Sequence, residues 1–348
     1  FWILYLFLPI AFGLCIVRTL QDLAKQLKET GTVDTLLAIA LAVVLCLPFI
    51  FKLPIATAVY LFGYFAILLV LGVPIAMSLG IAAMFTIWAA HPIDISYTAQ
   101  VSFAAIDKAS IMAIPFFVAS GNFMGEGGLS RRLFHMCDEF LGNAFGGLAI
   151  ATVVTCVLFG AMSGSGPATV AAIGALCIPA MVDRGYDKKF ATAVVACAGA
   201  IGVLIPPSNP FVVYAISANV SVGKLFMAGI VPGLLVAAVL IFYSYFEAKK
   251  HGWRGENRVR TAKTKMTAVW DAKWALLVPV IILGGIYGGF MTPTEAAAVA
   301  SFYGLVIGIF VHKELTKENL IPCLISSACT SSMIIVLMAR AQIGRAHV

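Results

Sequence analysis

Long apolar stretches, separated by short charged segments, run along nearly the whole chain of 348 residues. Two of them, 147–182 and 190–223, contain no Asp, Glu, Lys or Arg, and both exceed the about 20 residues of one membrane helix. Each is interrupted by residues that break a regular helix, at Gly160–Pro167 and at Pro206–Pro210. Broken backbone at membrane depth is tolerated only where it is buried in protein or lines a cavity. The pattern predicts a polytopic α-helical membrane protein with two discontinuous segments.

The other apolar stretches predict plain membrane helices, and the charged segments between them set the topology. The predicted spans are 1–17, 35–51, 55–71, 75–90, 109–124, 225–246, 274–291, 294–311 and 319–338. We predict that 147–182 enters and leaves on one side as a re-entrant hairpin and that 190–217 crosses as a broken helix. With this arrangement every basic cluster lies on the cytoplasmic side, as the positive-inside rule requires. The more polar segment 91–108 is then periplasmic.

Composition supports a membrane protein and excludes several other classes. The chain is 61% hydrophobic and 11% charged, whereas a soluble domain carries roughly 25% charged residues. Much of the net charge of +7 lies in the segment 247–273, so it indicates a cytoplasmic loop, or contact with anionic lipid headgroups, rather than a nucleic-acid partner. The eight cysteines form no CxxC pair, and neither a disulfide nor a metal site is predicted. HExxH, GxSxG and P-loop motifs are absent from the sequence, so we expect neither an enzyme nor a self-powered ATPase.

The two ends and a weak internal symmetry suggest a longer parent sequence. The chain begins at Phe1, inside an apolar segment, and residues 342–348 resemble the translation of a sequencing-library adapter, so we expect a sequence cut at both ends. Ser110–Ile114 resembles Ser331–Ile335, in spans of opposite predicted direction. Inverted repeats of this kind are frequent in secondary transporters, and the second repeat here is predicted to be truncated.

The two interruptions carry the candidate chemistry. Ser163 and Ser165 offer hydroxyls at mid-membrane depth, and the neighbouring break offers carbonyls at Gly202, Ile205 and Pro207. Neutral oxygens of unwound backbone are what sodium meets in transporters, while the alternative interpretation is close helix packing through small residues. Acidic and histidine side chains, which proton relays use, are absent from both charge-free stretches. The pattern therefore favours sodium over a proton as the coupling ion.

Two further polar residues have alternative interpretations. Asn209, within the Pro-rich break, is a candidate for a substrate hydrogen bond or a partner for a carbonyl that Pro leaves unpaired. Glu295 borders an apolar stretch, and the run Thr292-Pro293-Thr294-Glu295 predicts a helix-capping box rather than a proton-coupling site.

Four motifs resemble the large membrane subunit of tripartite ATP-independent periplasmic (TRAP) transporters. They are Phe159–Gly174, Gly199–Ser208, Gly229–Gly233 and Gly289–Ala296. The resemblance extends over residues 55–341. It also implies that 1–29 is the last helix of the small (Q-like) subunit and 30–54 the connecting helix of fused small/large forms.

The resemblance implies an elevator-type fold with a scaffold and a transport domain. Its first repeat is 55–246, followed by the cytoplasmic basic loop 247–273 and the start of the second repeat at 274–341. It implies a sodium site on Ser163, Ser165, Gly202, Ile205 and Pro207, and substrate contacts from Gly164, Gly166, Ser208 and Asn209. Sodium is the only ion required, and no cofactor is expected.

The resemblance also implies a function and partners. We expect a multi-pass subunit of the bacterial inner membrane that imports organic acids, with sialic acid as the first candidate and C4-dicarboxylates as the next. Its partners are a periplasmic substrate-binding protein, the partly fused small subunit and the lipid bilayer. A stand-alone sodium/dicarboxylate symporter is the alternative within transporters. A structural membrane subunit or a membrane-embedded enzyme is the alternative from another class.

Overall fold

The computed structural model describes residues 56–90, 95–255 and 260–345, together with scattered positions between 17 and 43. Every regular element in the described ranges is helical, which confirms the all-α fold class. Most of the predicted small-subunit helix (1–29) and connecting helix (30–54), and residues 346–348, lie outside the described residues.

Thirteen helices run through the described residues from position 57 onward. They are α1 (Thr57–Val70), α2 (Ile75–Ala90), α3 (Ile95–Ile106), α4 (Ala113–Glu126), α5 (Leu129–Leu141), α6 (Gly147–Ser163), α7 (Gly166–Asp183), α8 (Lys188–Leu204), α9 (Asn209–Ala218), α10 (Val222–His251), α11 (Ala262–Tyr287), α12 (Pro293–Val306) and α13 (Lys317–Arg345). A 3₁₀ turn, Ala109–Met112, precedes α4, and a π-helical turn, Ile307–Val311, extends α12.

The chain divides into two compact units, 1–97 with 346–348 and 98–345. In the first unit, α1 and α2 pack on each other. In the second, α6 lies at the centre and contacts α4, α5, α7, α8 and α10. Among the described residues, five helices are long and apolar enough to cross a membrane, or up to seven if each bent pair is one span. These lengths confirm a multi-pass protein.

Burial explains why α6 lacks charge. Of its 17 residues, 14 are buried, and a charged side chain there would have neither water nor lipid headgroups to solvate it. The hydroxyls of its two buried threonines hydrogen-bond to the backbone of the same helix. Thr152 donates to the Leu148 carbonyl at 2.8 Å, and Thr155 donates to the Ala151 carbonyl at 2.7 Å. The helix is therefore a core element that needs no outside polar partner along its length.

Three segments differ from the sequence-based expectation. The predicted polar loop 91–108 contains the helix α3, and residues 262–273 of the predicted basic loop form the first turns of α11. The helix α5 was not predicted at all. It is strongly amphipathic, with Leu129 and Leu133 buried on one face. A helix continues beyond the hydrocarbon layer when its polar residues reach water, so hydropathy marks the membrane core and not the helix ends.

Charge clusters hold α5 at both ends. At its carboxyl end, Asp138 accepts two hydrogen bonds from Arg184, at 3.0 and 3.1 Å, and contacts Arg260 through its side chain at 3.4 Å and through its backbone carbonyl. At its amino end, Arg132 donates to Glu314 at 2.7 Å. These pairs join α5 to the segment after α7, to the start of α11 and to the turn before α13.

The capping box that the sequence predicts at the start of α12 is confirmed. The Glu295 carboxylate accepts from the Thr292 backbone N–H at 2.7 Å, and the Thr292 hydroxyl accepts from the Glu295 N–H at 3.3 Å. Pro293 occupies the first turn, where its missing N–H has no consequence. Glu295 is thereby assigned to helix capping.

Candidate functional site

The first helix break consists of two residues between α6 and α7. Gly164 adopts a left-handed conformation with φ of 61°, which glycine reaches at no steric cost. Ser165 follows in extended conformation, and its hydroxyl caps α7 by accepting from the Ala168 N–H at 3.4 Å. The Ser and Gly residues that suggested a break in the sequence therefore end one helix and begin the next.

The second break lies between α8 and α9, which are bent by 41° relative to each other. Ile205 leaves the helix in extended conformation, and Pro206 and Pro207 follow. Ser208 begins α9 as its cap, accepting from the Phe211 N–H at 3.3 Å. The two breaks thus have the same design, with a helix end, a short extended segment and a serine cap.

The two breaks touch each other. The Asn209 backbone N–H donates to the Gly164 carbonyl at 3.0 Å. A methyl group on Gly164 would lie 2.7 Å from the Pro207 carbonyl oxygen, and one on Gly160 would lie 2.6 Å from the Gly202 Cα. Side chains are therefore excluded at Gly160 and Gly164. Of the nine predicted site residues, Gly164, Ser165, Ile205, Pro207 and Ser208 lie in the breaks, and Ser163, Gly166, Gly202 and Asn209 lie in the adjoining helix ends.

A hydroxyl cluster connects the break between α6 and α7 to α8. The Ser163 and Thr169 hydroxyl oxygens are 3.2 Å apart, and Thr169 donates to the Ser165 carbonyl at 2.8 Å. A methyl group on Gly202 would lie 2.5 Å from the Thr169 hydroxyl oxygen. Ser163 and Thr169 are fully buried. Sequence reasoning missed Thr169, although its position four residues after a capping serine places it above the cap on the same helix face.

Close packing through small residues, the alternative interpretation of these motifs, also describes part of the site. Gly166 and Gly199 face each other across α7 and α8: a methyl on Gly166 would lie 3.2 Å from the Gly199 carbonyl oxygen. Gly121 of α4 faces Ser163 in the same way, since a methyl on Gly121 would lie 2.8 Å from the Ser163 Cβ. The small residues bring α4, α7 and α8 to the break at Gly164, and the hydroxyls and carbonyls occupy the space between them.

Asn209 is the polar side chain at this site whose oxygen lacks a partner. It is 4% exposed, and its Oδ1 makes no hydrogen bond with a described residue. A buried amide oxygen left without a partner costs about 1–3 kcal/mol. The backbone N–H of Asn209 bonds the Gly164 carbonyl at the other break, which is not a carbonyl that Pro206 or Pro207 leaves unpaired. The side-chain oxygen remains available to a cation or to a donor group of a ligand.

The ends of four helices meet at the two breaks and give the site both negative and positive partial charges. α6 and α8 end here, so their last carbonyls bring partial negative charge, while α7 and α9 begin here and bring partial positive charge. Carbonyl ends favour a cation, and amino-terminal ends favour an anion. The arrangement can therefore hold a cation and an anion side by side without a single charged side chain.

A separate cleft of about 490 Å³ lies between α4, α7 and α13. Gly121, Gly125 and Ala168 line its wall, and Arg131 and Glu314 lie at its charged end. Gly121 also packs on Ser163, but the described lining of the cleft contains none of the nine predicted site residues. The cleft adjoins the site and is distinct from it.

Comparisons with known proteins show which family and which proteins the chain resembles. The family described as "Tripartite ATP-independent periplasmic transporter, DctM component" matches residues 62–346. The isethionate TRAP transporter permease protein DctMQ of Oleidesulfovibrio alaskensis is 60% identical over 343 residues, which are 99% of this chain and 54% of that protein. That match therefore includes residues before position 62.

Two more distant relatives carry other substrate names. The C4-dicarboxylate TRAP transporter large permease protein DctM of Rhodobacter capsulatus is 39% identical over 82% of this chain and 68% of its own length. The sialic acid TRAP transporter large permease protein SiaM of Vibrio cholerae is 35% identical over 80% of this chain and 65% of its own length. The chain spans between about half and two thirds of the length of these relatives.

Proposed function

Because this chain belongs to the DctM-component family of TRAP transporters, we propose that it is part of a sodium-coupled importer of small organic anions. The chain is a multi-pass protein of the bacterial inner membrane, and its relatives are named as transporter permeases rather than enzymes. The observation that carries the proposal is the contact between the two breaks, in which the Asn209 N–H donates to the Gly164 carbonyl at 3.0 Å. Beside it lies a buried amide oxygen, Asn209 Oδ1, that has no partner among the residues the structure describes.

The sodium ion binds at the hairpin tip and the second break in this proposal. Ser163, Ser165, Gly202, Ile205 and Pro207 supply its ligands, as neutral hydroxyl and carbonyl oxygens that suit a hard monovalent cation. The Ser165 hydroxyl already accepts from Ala168, but a hydroxyl oxygen has two lone pairs. The carboxyl ends of α6 and α8 add favourable potential for the cation. Thr169 orients the serines through its hydrogen bonds to Ser163 and Ser165.

The substrate anion binds next to the sodium ion, at the amino ends of α7 and α9. Gly164, Gly166, Ser208 and Asn209 surround those ends. The names of the relatives include isethionate, C4-dicarboxylate and sialic acid transporters. We place isethionate first for this chain, since the relative with that name is 60% identical, and keep C4-dicarboxylates and sialic acid as the alternatives from sequence.

The partner of this subunit is a periplasmic binding protein that delivers the anion. The family is that of tripartite ATP-independent periplasmic transporters, which supports this assignment. The similarity of the chain to a DctMQ protein before position 62 supports fusion to a small membrane subunit. A stand-alone symporter of related fold would take up the anion without such a protein.

The test is uptake of isethionate into proteoliposomes that contain the full-length protein, with its binding protein outside and a sodium gradient applied. Replacing both Ser163 and Ser165 by Ala should raise the sodium concentration needed for half-maximal uptake at least about tenfold, because two ligand oxygens are lost. Ser221→Ala is the matched control, since Ser221 caps α10 away from the site.

Two results would contradict the proposal in different ways. Unchanged sodium dependence in the folded Ser163/Ser165 double variant would remove the sodium assignment, while leaving the transporter family intact. Robust uptake after the binding protein is omitted would favour the stand-alone symporter. Uptake of a C4-dicarboxylate or sialic acid in place of isethionate would change the proposed substrate and leave the rest of the proposal intact.

A further inference from the structure

A second cavity, of about 790 Å³, runs along the seam between α8 and α10, away from the helix breaks. Its wall on α8 contains Lys189, Ala193 and Cys197, and its wall on α10 contains Leu240 and Tyr243. These positions recur every three or four residues, so the cavity is an elongated groove between two helices. Ala193, Cys197 and Tyr243 are exposed, so the groove opens to the outside of the molecule.

The groove changes from apolar to polar along its length. Ala193, Cys197 and Leu240 line one end, and the other end contains Lys189, His251 and the half-buried ring of Trp253. Tyr186 and His251 stack on Trp253, with ring centroids 5.2 and 4.7 Å away. Aromatic rings of this kind collect at the boundary between headgroups and hydrocarbon. The polar end therefore lies at the membrane surface, and the apolar end lies within the membrane.

The length of the groove matches one leaflet of a bilayer. From Lys189 to Cys197 an α-helix rises about 12 Å, and from His251 to Leu240 about 16 Å. Half the hydrocarbon thickness of a bilayer is about 15 Å. A lipid acyl chain placed along Ala193 and Leu240 would bring its headgroup to the level of Lys189.

The charges at the polar end favour an anionic headgroup. Two carboxylates line the groove, Asp187, which caps α8, and Glu247, which lies 3.4 Å from His251 and 3.9 Å from Lys250. They are outnumbered by the exposed lysines Lys188, Lys189, Lys249 and Lys250. Lys189 lines the groove and makes no ion pair with any residue in the described ranges. Lys188 and Lys249, both exposed, add positive charge beside it.

We propose that this groove is a binding site for one anionic phospholipid of the cytoplasmic leaflet, of the phosphatidylglycerol type. The acyl chain fills the space between α8 and α10, and the Lys189 ammonium binds the phosphate. The site is separate from the proposed sodium and substrate sites and does not depend on the transported anion. The bound lipid fills the seam between one half of the broken helix and its neighbour.

The test is native mass spectrometry of the full-length protein, taken from nanodiscs that contain equal amounts of phosphatidylglycerol and phosphatidylethanolamine. The wild-type protein should retain phosphatidylglycerol preferentially. Lys189→Glu should weaken this retention about thirtyfold. Each basic residue near an anionic surface raises the affinity about fivefold, and replacing a positive by a negative charge has twice the effect on the binding free energy of removing the positive charge alone. Ala193→Trp, at an exposed position, should fill the apolar end and reduce the retention of either lipid.

Lys263→Glu is the matched control, because Lys263 is exposed in the same basic region but does not line the groove. It should retain lipid as the wild type does. Equal retention of the two lipids by the wild type, or undiminished retention by Lys189→Glu, would overturn the proposal. So would a cross-link from Cys197 to a second protein chain in the membrane, because the groove would then be a protein interface.

Discussion

At the residue scale, one close contact lies at Gly202, where α8 meets the start of α7. A methyl group there would lie 2.5 Å from the Thr169 hydroxyl oxygen. Gly202→Ala should therefore lower the free energy of unfolding by about 1–3 kcal/mol through overpacking and displace Thr169 from its bonds to Ser163 and Ser165. The measurement is the thermal unfolding temperature of the purified protein in detergent.

Gly284→Ala provides the comparison for this prediction. Gly284 lies inside α11, is exposed and has no heavy atom within 4 Å of an added methyl. Alanine is favoured over glycine within a helix by about 0.5–1 kcal/mol, so this variant should unfold at the same temperature or higher. Equal behaviour of the two variants would show that the contact between Gly202 and Thr169 is loose.

Single residues at the breaks were predictable where their role is local. Ser165 and Ser208 cap helices because serine accepts hydrogen bonds from nearby N–H groups, and Gly164 turns the chain because it tolerates positive φ. The hydrogen bonds of Thr169 to Ser163 and Ser165 are local as well, but its close contact with α8 depends on how α7 and α8 pack. Its partner on α8, Gly202, is 33 positions further along the chain, and nothing in the sequence gives that distance.

At the scale of elements, the ion cluster around Asp138 should fix α5 against the end of α7 and the start of α11. Arg260 is only 4% exposed in its side chain, and its Nε makes no hydrogen bond with a described residue. Asp138→Asn would leave this guanidinium buried without a carboxylate, which costs about 3 kcal/mol. We expect a lower unfolding temperature, measured at low and at high salt.

Asp183→Asn is the control for this prediction, since Asp183 is an exposed carboxylate next to Arg184. It should leave the unfolding temperature within experimental error, as surface carboxylates contribute about 0–1 kcal/mol. If both variants unfold at the same temperature as the parent protein, the cluster neither holds α5 nor stabilises the buried Arg260.

Helix breaks were more predictable than helix ends. The breaks at 164–165 and 205–208 follow from Gly and Pro, which act through the backbone of their own segment. The end of α10 at His251 and the start of α11 at Ala262 could not be predicted from hydropathy, because both helices extend beyond the apolar stretch into water. α5 was missed for a related reason: it is too polar for a membrane span, and its buried face is recognised only through the spacing of Leu129 and Leu133.

At the scale of the whole molecule, the re-entrant hairpin stays a prediction that fixes the side of every later loop. If α6 and α7 turn back at Gly164, the segments on both sides of the hairpin lie in the cytoplasm. Single cysteines at Asn143 and Lys188, both exposed, should then react with an impermeant maleimide only from the cytoplasmic side. Gly142 is unsuitable for this purpose, since a side chain there would meet Asp138 and Arg260.

A third cysteine calibrates the labelling. Val220 is 48% exposed in the turn between α9 and α10, which the same topology places in the periplasm, so Val220→Cys should react only from outside. Labelling of position 188 from the periplasm would mean that α6 and α7 cross the membrane once. The basic cluster at 247–273 would then also lie outside, against the positive-inside rule.

The capping box at Thr292 and Glu295 has a consequence for how this protein is made. Both of its hydrogen bonds to the backbone join residues three positions apart, so the start of α12 is fixed by its own segment. The first turn of α12 can therefore form as soon as residues 292–295 have left the ribosome, before α12 packs on α4. The Glu295 side chain, bound to the Thr292 backbone, then marks where the helix begins during synthesis.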